Sequence, residues 1–233
     1  AMQAELADLK ARVANLTEDW PGLARYRAAN AALPAPAAQE ARVVFLGDSI
    51  TDGWPDQTPY FRDHGYVGRG ISGQTTSQML IRFSADVLAL RPRVVVILAG
   101  TNDIAANTGP YDPALTQANL AAMVSLAQAH GVRVVLASVL PAADFPWRPG
   151  LAPAPKIVAL NAWLQDHAAR HGCIYLDYHT AMADARGGLP PALAEDGVHP
   201  TKAGYALMEK LADAAVAQAL ARSEEHTSEL QSH

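Results

Sequence analysis

The sequence has one cysteine, Cys173, so no disulfide can form within the chain, and its place in the apolar stretch GCIYLD suits a buried, inert thiol. No apolar run approaches the ~18 residues of a membrane span. The first residues, AMQAELADLK, lack the basic start and apolar core of an export signal, which leaves localisation open. Nor is there an excess of positive charge. The 18 Lys and Arg residues are scattered and outnumbered by 23 Asp and Glu, giving a net charge of -5, so nucleic acid and anionic membrane surfaces are excluded as general partners. What remains is 233 residues, 50% of them hydrophobic, enough for one α/β domain with a single core and too few for a second full domain.

Leu6, Leu9, Val13 and Leu16 recur at helical spacing, and a second short helix is expected to start near Trp20 and Pro21, both reading as packing helices. The leucine spacing also leaves open pairing with another subunit or folding back onto the same chain. The connector LPAPAAQ, Leu33 to Gln39, separates this arm, residues 1–41, from the body at 42–221. In the body, short apolar runs alternate with longer helical stretches. The runs are VVFLG from Val43, GYVGRGI from Gly65, VVVILAG from Val94, VRVVLASVL from Val132 and CIYLD from Cys173. Runs of Val, Ile and Leu without alternation predict strands buried on both faces, hence a parallel sheet. Helices are expected over 77–90, 113–130, 156–170 and 201–221, giving a five-stranded parallel sheet in a three-layer α/β/α sandwich. The last twelve residues, RSEEHTSELQSH (222–233), lack apolar periodicity and read as an unstructured tail. The string also resembles the conceptual translation of a sequencing-library adapter.

Four short words fall where such a sheet gathers ligands, at the carboxyl ends of its strands. GDS ends at Ser49, SG at Gly73, GTND contains Asn102, and DGVHP contains Asp196 and His199. Each is ordinary alone: a serine at a strand-to-helix turn suits an N-cap, while Gly and Asn suit turns. Together they hold a hydroxyl nucleophile, a backbone donor, an amide donor and an Asp/His pair, which are the parts of an acyl-transfer site. Asp48 is expected to organise the turn rather than react.

With these four blocks in order, the chain resembles the SGNH hydrolases, or GDSL-type esterases and lipases, from Arg42 to about Leu220. The first block reads GDSI, apolar like GDSL at its last position. The resemblance implies a flavodoxin-like fold and a serine esterase working through an acyl-enzyme. Members act on short acyl esters, lipids, thioesters and acetylated sugars, which the sequence does not separate, and short-chain acyl or acetyl esters are expected first. It implies Ser49, Asp196 and His199 as catalytic residues, and Ser49, Gly73 and Asn102 as oxyanion donors, with no cofactor and no metal. The absence of a G-x-S-x-G elbow speaks against the α/β-hydrolase fold. The arm WPGLARYRAAN is similar to that of bacterial members, often exported. An acylated carbohydrate or lipid would be the small-molecule partner.

Other readings compete. Gly68 to Gly73 matches G-x-G-x-x-G, but no acidic residue follows at the ~20-residue spacing of a dinucleotide site. Asp177, His179, Asp196 and His199 could serve a metal-dependent hydrolase. A non-catalytic ligand-binding member of the fold is a third possibility. The loop PAADFPWRPGLAPAP, Pro141 to Pro155, is expected to expose Phe145 and Trp147 as substrate walls, or else to pack as a plain loop.

Overall fold

The computed structural model describes residues 2–231, with α1 at Met2–Glu18, α2 at Arg27–Ala32 and β1 at Val43–Gly47. After β1 come α3 (Ser49–Asp52), α4 (Trp54–Gln57), α5 (Tyr60–His64), β2 (Val67–Gly70) and α6 (Thr76–Asp86). Next are β3 (Val94–Leu98), α7 (Thr101–Ile104), α8 (Pro113–Ala129) and β4 (Arg133–Ala137). The chain then forms α9 (Pro153–Arg170), β5 (Ile174–Leu176), α10 (Tyr178–Met182) and α11 (Lys202–Gln231).

All four strand pairings are parallel, in the order β2-β1-β3-β4-β5. This is the doubly wound, flavodoxin-like order, whose switch point lies between β1 and β3. The central strands β1 and β3 are apolar and buried throughout because both faces are covered. Val44, Leu46, Val95, Ile97 and Leu136 pack with Met79 of α6, Leu120 and Met123 of α8, and Leu160 and Leu164 of α9. Their neighbours Val43, Phe45, Val94, Val96 and Val135 face Met208, Ala212 and Val216 of α11, together with Trp54, Tyr60 and Phe61. Alternate residues thus serve opposite layers, and a polar residue in either set would be buried without water.

Two helical expectations change. The stripe on α1 packs into neither core: Leu6, Leu9, Val13 and Leu16 are all at least half exposed. The sheet faces are already covered by later helices, leaving no apolar surface for α1. At the other end, α11 continues past Ala221 to Gln231, where an unstructured tail is expected. After Gly204 no glycine or proline interrupts it, and Glu, Leu and Gln sustain a helix. Ser232 and His233, which end that expected tail, lie outside the described residues.

From Trp20 to Asn30 the arm is bound to the body through polar contacts. The backbone carbonyls of Trp20 and Pro21 accept from Gln78 Nε2 (2.8 Å) and Gln74 Nε2 (2.7 Å). Asn30 Nδ2 donates to Asp86 (2.7 Å), and its oxygen accepts from Arg69 Nε (2.8 Å). The Tyr26 hydroxyl donates to the Gly70 carbonyl, and its ring lies beneath Arg69, 4.7 Å from ring centre to guanidinium.

Candidate active site

The nucleophile loop begins where β1 stops. Asp48 caps α3, its carboxylate accepting from the Ile50 amide at 3.0 Å, so Ser49 is the first helical residue and not the cap. Behind it, the Tyr205 hydroxyl donates to the Ile50 carbonyl at 2.7 Å, which fastens α3 to α11. Gly70 permits the fit on the other side, since a Cβ there would stand 2.1 Å from the Asp52 amide nitrogen. Gly68, where a Cβ would stand 2.9 Å from the Phe61 ring, and Gly70, the first two glycines of the G-x-G-x-x-G match, therefore serve helix-to-strand packing.

Ser49 Oγ lies 2.9 Å from His199 Nε2, and His199 Nδ1 lies 2.6 Å from Asp196 Oδ2. The other carboxylate oxygen of Asp196 accepts from the amides of Val198 (2.9 Å) and His199 (2.8 Å). Partial burial pushes the Asp196 carboxyl upward, but the His199 ring and these two amides outweigh it and hold it below the ordinary carboxylate value. Val198 is buried in the core between them, so the loop is anchored while the imidazole faces the cleft.

Gly73 and Asn102 border the same cleft, of about 330 Å³, with Ser49, Ser72, Asn107, Trp147 and His199. Gly73 sits at φ +79°, where a side chain would be strained. Asn102 is buried on α7 just past β3; its Nδ2 donates to the Gln74 carbonyl (3.1 Å) and to Asp48 Oδ2 (3.3 Å). Asp48 is fully enclosed, and burial, opposed by the Ile50 amide, raises its carboxyl from 3.8 to about 6. Asp103, the last residue of GTND, faces away. It accepts from the Thr76 amide (3.0 Å) and hydroxyl (2.5 Å), joining this loop to the start of α6.

Of the two expected wall residues, one is exposed. Trp147 is 41% exposed with its ring centre 6.0 Å from that of His199. Phe145 is 0% exposed and stacks on Trp147 at 5.1 Å, forming its base rather than a wall. The reason is local: Asp144 accepts from the amides of Phe145 (2.9 Å) and Gly150 (3.0 Å), curling the loop so that Phe145 enters the core. Asp177 caps α10 through the Thr180 amide (2.9 Å), and among the described residues no three His, Cys, Asp or Glu side chains converge as a metal ligand set would.

Residues outside the four words complete the surroundings. Arg82, fully buried, donates to Gln74 Oε1 (2.6 Å), Asp86 Oδ2 (3.1 Å) and the Gly47 carbonyl (3.0 Å), tying the end of β1 to the Gly73 loop. Asp52 accepts from the Ser72 hydroxyl (2.8 Å) and Arg25 (3.3 Å). Their sequence signal is faint, because a buried arginine inside an amphipathic helix reads like any surface arginine.

The GDSL-like lipase/acylhydrolase family model matches residues 45–207. A GDSL-like lipase of Bacteroides thetaiotaomicron VPI-5482, known from its crystal structure, is 46% identical, covering 86% of this chain and 100% of its own, with a TM-score of 0.84. An acetylxylan esterase of Xylanibacter ruminicola is 26% identical over 222 residues, 79% of this chain but only 45% of that protein. Esterase TesA of Pseudomonas aeruginosa PAO1 is 29% identical over 168 residues, 68% of this chain and 75% of that one. The chain thus spans under half of the first of these two esterases and three quarters of the second.

Proposed function

The chain belongs to the GDSL-like lipase/acylhydrolase family, and from that premise we propose that it hydrolyses carboxylic esters of small acids, acetyl esters foremost, through an acyl-enzyme on Ser49. The observation that carries this reading is the run of contacts from Ser49 Oγ through His199 to Asp196, at 2.9 and 2.6 Å. In the first step Ser49 Oγ attacks the ester carbonyl carbon while its proton passes to His199 Nε2. Asp196, ionised and hydrogen-bonded to Nδ1, orients the ring and stabilises the imidazolium.

The resulting oxyanion is held by the amides of Ser49 and Gly73 and by Asn102 Nδ2. For Asn102 this means exchanging its longer bond, to Asp48, for one to the oxyanion. Collapse breaks the bond to the alcohol, which leaves with the proton from His199. Water then attacks the acyl-enzyme, giving its proton to the same nitrogen, and the acid is released as that proton returns to Ser49.

A small acyl group suits a cleft of about 330 Å³ that Ser72, Gly73, Asn107 and Trp147 border beside Ser49 and His199. The acetylxylan esterase relative favours an acetylated sugar as the alcohol side, with Trp147 as the aromatic surface.

The test is a panel of p-nitrophenyl esters of graded chain length, run beside acetylated xylan. Turnover is expected to be greatest for acetate and to fall with each longer acyl chain. Ser49→Ala and His199→Ala should each lower kcat by on the order of 10³-fold or more, and Asn102→Ala by roughly 10²-fold. A preference for long acyl chains would overturn the substrate class. Near-normal turnover in Ser49→Ala would overturn the mechanism.

A further inference from the structure

Asn107 is absent from the four words, yet each polar group of its carboxamide is engaged. Its Nδ2 donates to Asn102 Oδ1 at 2.7 Å and to the Gly73 carbonyl at 3.2 Å. Its Oδ1 accepts from the indole nitrogen of Trp147 at 3.2 Å. The backbone sets the reach: Ala106 takes a left-handed φ of +57°, and the Asn107 amide donates to the Asn102 carbonyl at 3.0 Å. The loop after α7 therefore folds back so that the second asparagine lies against the first.

We infer that Asn107 is a positioning residue that locks Gly73 and Asn102 into one register and holds Trp147 at the edge of the cleft. This rests on the esterase reading above. The chemistry needs an amide. The two groups facing its nitrogen are both carbonyl oxygens and the group facing its oxygen is an N–H, so a carboxylate would repel two of its three partners. With Oδ1 of Asn102 claimed by Asn107, the Nδ2 end of Asn102 is kept toward Asp48 and the Gln74 carbonyl, on the cleft that Ser49 borders. Rotation of that amide by half a turn would put an oxygen where the oxyanion forms. Gly73 contributes through its backbone, and pinning its carbonyl limits how far the flexible residue can swing.

The same amide joins the oxyanion donors to the wall. Trp147 has a stacking partner beneath it in Phe145, at 5.1 Å between ring centres, and its indole N–H donates to Asn107. An acyl group too large for the cleft pushes Trp147 outward and pulls on the residue that aligns Asn102. Acyl size and oxyanion stabilisation are coupled through one side chain.

The test is a double-mutant cycle on the full chain, with p-nitrophenyl acetate and p-nitrophenyl octanoate as probes and the unfolding midpoint of every variant measured alongside. Asn107→Ala is expected to lower kcat for the acetate about tenfold, what the loss of ordinary hydrogen bonds gives, with KM moved less than about threefold. In an Asn102→Ala background, where the positioned donor is already gone, the same change should cost under about threefold. Trp147→Phe removes the indole N–H and keeps a ring over Phe145; it should raise octanoate turnover relative to acetate by at least about threefold. Asn107→Asp, which preserves size, should lose at least as much kcat as Asn107→Ala and so separates positioning from cavity effects.

Equal losses from Asn107→Ala with and without Asn102, or an Asn107→Asp variant as active as wild type, would overturn the inference. So would an unchanged octanoate-to-acetate ratio in Trp147→Phe. Ser49→Ala distinguishes the two levels of the argument. Turnover surviving in that variant would overturn the esterase reading itself, whereas an inactive Ser49→Ala beside an additive cycle would overturn the role of Asn107 alone.

Discussion

Asn102 Nδ2 and Asp48 Oδ2 stand 3.3 Å apart across the switch point, joining the loops that follow β1 and β3. The Asp48 carboxyl is raised by burial from 3.8 to about 6, with His199 opposing the rise and Asp103 adding to it. Between those values the folded protein retains a proton that the unfolded chain has released. Its contribution to stability is therefore full below the lower value and is lost as pH rises through the higher one, a change of ~3 kcal/mol. Asp48→Asn should abolish that component. In denaturant titrations at pH 3 and pH 7, the variant is expected to gain on the wild type by about this amount between the two conditions. A stability difference independent of pH would refute the assignment.

Arg82 and Asp86 form an ion pair with side chains 0% and 2% exposed. Burial pulls the guanidinium below its ordinary value, with Asp86 and hydrogen bonding to it opposing the fall. Arg82→Met leaves Asp86 buried without its cation and Gln74 without its tether. Breaking such a pair costs about 3–5 kcal/mol. Urea unfolding should show that loss, and kcat should fall as the Gly73 loop loosens. An unfolding free energy within 1 kcal/mol of wild type, on the order of a surface change, would contradict the role given to Arg82.

The two parts of the N-terminal arm should behave differently. Removing residues 2–18 takes away a helix whose apolar stripe is exposed, so the unfolding midpoint and kcat are expected to hold. Removing residues 2–33 also strips the partners of Gln74, Gln78, Arg69 and Asp86. That truncation is expected to lower both the unfolding midpoint and kcat, through the loop that carries Gly73. Calorimetry and turnover on the two truncations check this directly, and equal behaviour would refute it.

Removal of residues 223–233 should change neither the unfolding midpoint nor kcat. Up to Ala221, the buried side chains of the last turns of α11 are Ala215, Val216 and Ala219, all before the cut. A drop in midpoint of several degrees would show that the segment packs on the body.

The five strands, their parallel sense and the main helices were legible in the sequence because burial on both faces leaves unbroken apolar runs such as VVFLG and VVVIL. The Ser49, Asp196 and His199 cluster was legible for another reason: its residues sit in short words whose spacing is set by turns. The loop's two alternatives, substrate wall or plain packing, stay open at the level of sequence, because two aromatics in a proline-rich loop give no sign of which one the Asp144 turn directs inward; the structure buries Phe145 and exposes Trp147. The stripe of the arm packs on neither core of its own chain, because periodicity records an apolar face but not whether a complementary face is free. Asn107 and Arg82 act through contacts with distant segments, and no local pattern encodes those.

The most direct test of the account is to react the protein with a p-nitrophenyl phosphonate ester and map the adduct by mass spectrometry while following activity. Ser49 Oγ should displace p-nitrophenolate and leave one phosphonyl group per chain, on Ser49, with esterase activity lost in proportion and His199→Ala labelled on the order of 10³-fold more slowly. Activity lost with the adduct on another residue, or activity retained with Ser49 fully labelled, would contradict the assignment of Ser49 as the nucleophile.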